Sequence, residues 1–171
     1  GILVDGYGGG QGSTLSIQAP DIKVSTYVRG ENENGINAVY LRSNQINLHS
    51  LSLGTENAKN IAIDLTIEKT APEANAINIT GGSAVIGNND AAVSINVVNN
   101  GTEETAYARG IQVTGEDSSL TINASRLDVS VTSNFKPVAF KVSDNAAVTV
   151  NAPTSITVRG GSNQDYASEG I

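Results

Sequence analysis

The residues of this sequence with types and spacing suited to chemistry fall in a few short stretches. "GYGGGQG", residues 6–12, has the glycine density of a phosphate-cradling loop. Such a loop needs G-x-G-x-x-G or a closing Gly-Lys-Ser/Thr, with a helix N-terminus behind it for the phosphate. Gln11 stands where the third glycine belongs, and neither Gly-Lys-Ser/Thr nor a helical pattern follows. A flexible corner between two strands is expected there. "GGSNQDYA", residues 160–167, echoes the calcium nonapeptide G-G-x-G-x-D-x-U-x. Asn163 replaces a glycine, and a single copy is present where that site needs stacked copies. A Gly/Asn loop is expected, with no bound metal and no cofactor.

His49 is the only histidine and there is no cysteine, so a zinc site lacks ligands. It is expected just after a strand, at a position that Gln18, Asn123 and Asn151 fill elsewhere. Side-chain amides in such a column hydrogen-bond along the stack. Asn78, Asn100 and Asn123 head N-x-[ST] triplets, which matter only in a glycosylating route. Asp64 and Asp128 are carboxylates in alternating runs. They would hold calcium or act as acid and base on a glycan only if the fold brought them together.

The elements that must position these residues follow from composition and period. The 171 residues suffice for one domain. Cys, Met and Trp are absent, while Gly, Asn, Ser, Thr, Val and Ile are prominent. This mixture favours strands and tight turns over helices. Ten basic residues against seventeen acidic ones give a net charge of −7, which disfavours nucleic acid and anionic lipid as partners. No apolar run approaches the ~20 residues of a membrane-spanning helix. Neither a signal peptide nor an initiator Met is present, so a processed or excised chain is expected.

A small residue followed by a large apolar one recurs at Gly1-Ile2, Gly35-Ile36, Ala76-Ile77, Gly110-Ile111, Ala139-Phe140 and Gly170-Ile171. Between these anchors the same three alternating runs return in the same order. The first is Ile77-Asn-Ile79, Ile111-Gln-Val113 and Phe140-Lys-Val142. The second is Leu15-Ser-Ile17, Ile46-Asn-Leu48, Leu120-Thr-Ile122 and Val148-Thr-Val150. The third begins at Ile22, Ile61, Val93, Leu127 and Ile156, and from residue 17 to 22, 122 to 127 and 150 to 156 the step from the second run to the third is only a few residues. Period-two alternation marks strands with one buried face.

Three short strands per repeat bury those faces only by stacking on their own copies. The expected fold is all-β: a right-handed parallel β-helix, or β-solenoid, of about five coils of three strands. Its handedness is expected from the rule for parallel crossovers. The coils of this single 1–171 domain start near 2, 36, 77, 111 and 140, with the next at 171. The matching phase at both ends suggests a fragment of a longer solenoid, and with it end-to-end self-stacking. An immunoglobulin-like sandwich would not repeat strand for strand at the same corner.

The three-strand coil, the Asn/Thr/Ser-rich outer positions, the "GIQVTG" phrase at 110–115 and the lack of Cys resemble a bacterial autotransporter passenger domain of the pertactin-like class. The resemblance covers the whole chain. It implies export across both membranes of a Gram-negative-type cell, to the cell surface or into the medium, tethered or released. No Arg-Gly-Asp tripeptide is present, so the integrin function of part of that family is not implied.

The expected function is a non-enzymatic adhesin or passenger stalk, displaying binding loops or spacing them from the cell. Its partner would be a host or bacterial surface protein or glycan. The alternative is a β-helix polysaccharide lyase or hydrolase, or a phage tail-spike type of glycan-active protein. The loops expected after each third strand, 25–35, 68–76, 99–110, 132–139 and 159–170, carry Tyr27, Arg29, Tyr107, Arg109, Arg159 and Tyr166. Tyr and Arg are favoured at interfaces, so these six are the expected partner-facing residues. The plainer expectation is tyrosines packed over the corner and charges that solubilise it.

Overall fold

In the computed structural model the alternating runs bury their apolar faces by stacking on their own repeats. The structure describes residues 1–5, 12–30, 35–43, 48–69, 73–101 and 107–160. Within these, fifteen strands form three five-stranded sheets, every pairing parallel. The first sheet is β1 (Ile2–Asp5), β4 (Ile36–Arg42), β7 (Glu73–Thr80), β10 (Tyr107–Thr114) and β13 (Pro137–Ser143). The second is β2 (Thr14–Ile17), β5 (Ser50–Leu53), β8 (Gly82–Ile86), β11 (Ser118–Asn123) and β14 (Ala147–Asn151). The third is β3 (Asp21–Val28), β6 (Asn60–Ile67), β9 (Ala92–Asn99), β12 (Arg126–Ser133) and β15 (Thr154–Gly160). Every third strand returns to the same sheet one rung along. The chain is a parallel β-helix of five coils. The further coil start expected at 171 lies outside the described residues.

The inward positions form the core ladders. Val24, Ile63, Ile95, Val129 and Ile156 stack in register in the third sheet. Ile17, Leu53, Ile86, Ile122 and Val150 do so in the second. The three central coils carry most of the fully buried side chains, Leu53, Ile63, Ile86 and Ile122 among them at 0% exposure. Each such side chain contributes roughly 1.5–3 kcal/mol by leaving water. One rung breaks the pattern: Thr26 lies in the column of Leu65, Val97, Val131 and Val158, and its buried hydroxyl has no partner.

Two expectations need correction. In coil two the strand in the second sheet is Ser50–Leu53, with Leu51 and Leu53 stacked on Leu15 and Ile17; of the run expected at 46–48, Ile46 and Asn47 lie outside the described residues and Leu48 is exposed. The run Leu48-His-Ser-Leu51 breaks the alternation, and burial of two leucines in register decides which half pairs. The rung residue of that coil's first strand is likewise Val39, aligned with Ile2 and Ile77, although the strand begins at Ile36. Coil three also has a second strand, Gly82–Ile86, that its alternation announces weakly because Ala84 replaces a large residue. It enters through Gly81 and Gly82, with φ of 117° and 85°. A Cβ on Gly82 would lie 2.3 Å from the His49 carbonyl oxygen, so only glycine allows that oxygen to accept from the Ser83 N–H at 3.0 Å.

Two substitutions test the ladder. Ile122→Asp places an unpaired charge between Ile86 and Val150 and is expected to lower Tm by on the order of 10 °C. Thr121→Asp, one residue away and outward, is expected to shift it by no more than about 2 °C. Equal shifts would refute the alternation. Thr26→Val removes the unpartnered hydroxyl and completes an aliphatic column, and is expected to add about 1 kcal/mol in denaturant unfolding.

Candidate functional site

The site is built by a fault in the alternation. In β7, Ala76 and Ile77 are both fully buried, while Asn75 and Asn78 flank them. The same small-large pair is Ala38-Val39 in β4 and Gly110-Ile111 in β10, all buried. A Cβ on Gly110 would lie 2.8 Å from the Ala139 carbonyl oxygen and 2.9 Å from Val129 Cγ1, so this turn of the backbone presses on the next coil and on the third sheet. Only a small residue fits there, and with both members of the pair buried the flanking residues three apart lie on the same outer side.

Three hydrogen bonds mark this outer side. Asn75 and Asn78 both donate their Nδ2 to Asn37 Oδ1, at 3.0 and 3.1 Å. One coil further, Arg109 Nη1 donates to Gln112 Oε1 at 2.6 Å. Asn37, Asn75 and Arg109 share one column, and Tyr40, Asn78 and Gln112 share the next. The outer side of the first sheet therefore carries a polar strip running along the helix axis across coils two to four.

The strip is unusually buried for an outward face. Asn75 is 1%, Asn78 7% and Arg109 6% exposed. The Oδ1 atoms of Asn75 and Asn78 are buried and accept no hydrogen bond. The Arg109 guanidinium is compensated: Glu73 Oε1 lies 3.2 Å from Nη1, and the group stands 5.0 Å from the Tyr107 ring centroid. Lys136 lies 5.3 Å from the same centroid. At the coil-one end, Arg42 grips both Asp5 oxygens, at 3.1 and 2.7 Å, and lies 5.9 Å from the Tyr40 ring. The hydrogen bond to Asp5 raises the Arg42 pKa above the usual guanidinium value. The second sheet offers a contrast, because its outward positions are uncharged, with Ser16, Ser52, Thr121 and Thr149 in register with Val85.

The expected partner-facing residues do not form one patch, and several are not on loops. Tyr27 is on β3, exposed, with its hydroxyl donating to Glu68 and Arg29 over its ring at 5.4 Å. That hydrogen bond is the main reason the Tyr27 pKa is raised above the ordinary tyrosine value. Tyr107 and Arg109 are on β10, and Arg109 is buried. Arg159 is on β15, exposed, in the Tyr27 column but at its other end. Tyr166 lies outside the described residues. So do residues 6–11 of the glycine-rich stretch and 161–167 of the calcium-like one.

His49 immediately precedes β5, whereas Ile17 pairs with Leu53, so His49 is not in the amide column that holds Gln18. It is buried, and its Nδ1 accepts the Ser13 N–H at 2.8 Å, which leaves the proton on Nε2, a buried atom without a partner. The amide column itself exists where Asn151 donates to Asn123 at 2.9 Å. Asp64 and Asp128 lie in different columns, beside Lys23 at 3.9 Å and Arg126 at 2.7 Å. Among the described residues no group of three or more His, Cys, Asp or Glu side chains could hold a metal ion. A cavity of about 220 Å³ sits at the corner after the first sheet, lined by Ser43, Thr80, Thr114, Glu116, Asp117 and Ser118 among others. Ser118 Oγ there already bonds the Thr114 carbonyl and the Gly81 N–H, and Ser43 Oγ the His49 N–H.

Comparison with family models, with curated proteins and with solved structures returns no match to this chain. The polar strip escapes a reading of the sequence because its residues sit three apart inside a period-two pattern. The recurring small-large pair is the signal that could have found it.

Two tests follow from the site geometry. Glu73→Gln leaves the buried Arg109 cation without its carboxylate and is expected to cost about 2–3 kcal/mol in denaturant unfolding. Arg109→Met leaves only a half-exposed carboxylate and is expected to cost about 1 kcal/mol or less. The reverse order would show that the ion pair is not the support of the strip. His49→Ala strands the Ser13 N–H and is expected to cost about 1–2 kcal/mol, read as faster hydrogen exchange at Ser13.

Proposed function

We propose that this chain is a stretch of surface-displayed passenger stalk of the autotransporter kind, which recognises a partner through one outer face. The observation that carries this reading is the asymmetry of the β-helix. Its interior is a predominantly aliphatic stack. Its second sheet is uncharged outside, whereas the first sheet carries buried amides and a compensated arginine that the interior does not require. A scaffold that stacks regularly inside is free to vary outside, and solenoids present binding surface in this way. The proposed location is the cell surface or the medium, and the proposed partner is a host or bacterial surface protein or glycan. The proposed role is adhesive, without catalysis of its own.

The test is accessibility and adhesion. Intact cells of the producing bacterium are treated with a protease and probed with an antibody to this chain. Purified chain on beads is then presented to host and bacterial cells. Loss of the antibody signal from intact cells, with bead adhesion above an albumin control, is the expected result. A chain protected until the cells are lysed would overturn the reading. Release of reducing ends from a polysaccharide panel would replace it with an enzyme.

A further inference from the structure

We infer that the corner cavity after the first sheet is a docking notch for a basic side chain, a lysine or arginine presented by a protein partner. The inference rests on the proposed adhesive function and names the chemistry of that partner. Three observations carry it.

The first is an open concavity with a structural cause. Residues 43–49 separate the first two strands of coil two, and residues 115–117 those of coil four, whereas Gly81 alone separates them in coil three. Its φ of 117° permits so short a corner, and a Cβ on it would lie 2.7 Å from the Ser43 carbonyl oxygen. One short corner between two longer ones leaves a notch of about 220 Å³. Leu48 of coil two lines one side and Glu116 and Asp117 of coil four the other, with Thr80 and Gly81 between them. Leu48, Glu116 and Asp117 are all exposed, so the notch is reached from solvent. Pockets for drug-sized molecules run to roughly 300–1,000 Å³, and this smaller one suits a single long side chain.

The second is charge without a counter-charge. All ten Lys and Arg of the chain lie within the described residues, and none forms an ion pair with Glu116 or Asp117. Asp144 brings a further exposed carboxylate to the same corner of coil five, also without an ion pair. The turn that carries Glu116 and Asp117 is held in place. The Ser118 N–H donates to the Gly115 carbonyl at 2.9 Å, and the Gly82 N–H to the Asp117 carbonyl at 3.0 Å. Ser118 Oγ donates to the Thr114 carbonyl. Like charges on one hydrogen-bonded turn repel, and a cation relieves that repulsion with little backbone to order.

The third is the opposite wall. Leu48 is 52% exposed, an apolar surface across the notch from the carboxylates. Lys and Arg lay their stems on apolar surface and keep the charged head in polar surroundings. Leu48 suits the stem and the two carboxylates suit the head. A metal ion is not served, because among the described residues no group of three or more His, Cys, Asp or Glu could hold one. The net charge of −7 repels an acidic partner and draws a basic one toward the notch.

The test is an NMR titration of the full chain at low salt with a short oligolysine peptide, beside an oligoglutamate peptide and the free diamine cadaverine. Oligolysine is expected to shift the backbone amide resonances of Gly81, Gly115, Glu116, Asp117 and Ser118, and oligoglutamate to shift none of them. Affinity is expected to fall as salt is raised. Glu116→Gln and Asp117→Asn are each expected to weaken binding about fivefold, and Leu48→Ser about threefold. Glu56→Gln removes an exposed carboxylate at the corner after the second sheet and is expected to leave binding unchanged. Absence of oligolysine binding would overturn the inference. So would equal weakening by Glu56→Gln, which would make net charge the cause, or cadaverine binding as tight as the peptide's, which would replace the protein partner with a free amine. Bead adhesion that survives trypsin treatment of the target cells, with no oligolysine binding, would reject the basic partner and leave the adhesive function standing. Oligolysine binding at the notch by a chain that is not exposed on cells would do the reverse.

Discussion

The interaction on which the rest of this structure depends is the in-register pairing of each strand with its own repeat one coil away. A strand of four to eight residues has too little apolar surface to hold itself, and a single coil has no neighbour for its strand backbone to bond. Stacking supplies both at once. Parallel pairing puts Ile63 on Ile95 and Leu53 on Ile86, so each inward side chain packs above and below against a like shape. Stability then grows with the number of neighbouring coils, as in other solenoids. The gradient is visible here. Coils two to four bury their rungs almost completely, whereas Val142, Val150 and Val158 of coil five are only partly covered within the described residues.

This dependence explains what is legible in the sequence and what is not. The third strands are readable because they are long and their alternation is unbroken, as in Ile61 to Ile67. Their tight corner after the second strand is readable because little chain separates them. Coil two misleads because "INLHSLSL" offers two overlapping alternating halves, and only a partner strand distinguishes them. The choice falls on Leu51 and Leu53 because Leu15 and Ile17 lie beneath them. The same slip of register moves His49 from the expected amide column to a buried place where it accepts a backbone N–H. A local pattern predicts that a strand exists, whereas register belongs to the pair.

The candidate site is less legible for a related reason. Tyr107 and Arg109 read as loop residues because they lie between the third run of one coil and the Gly110-Ile111 anchor of the next. In the fold, Gly110 is a place of close approach within a strand, and Arg109 is buried because Glu73, Tyr107 and Gln112 surround it. A buried cation of this kind depends on its partner more than its partner depends on it. Asn75 and Asn78 give no signal of their own, since an asparagine in an alternating run reads as a solvated outward residue, and only the Ala76-Ile77 pair between them marks the place.

The small-large pair joins the core to the strip. Along most of each strand the inward and outward residues are independent, and the scaffold constrains only the inward set. At Ala38, Ala76, Gly110 and Ala139 that independence ends. These residues are small because the backbone there presses inward, with the Ala139 carbonyl 2.8 Å from where a Gly110 Cβ would stand. Outside, Asn75 and Asn78 meet on Asn37, and Arg109 bonds Gln112. Core packing and strip geometry therefore share one set of positions. The small-large pair thus carries two constraints, one from stacking and one from the face it shapes, and this accounts for its recurrence in coil after coil while the residues around it change.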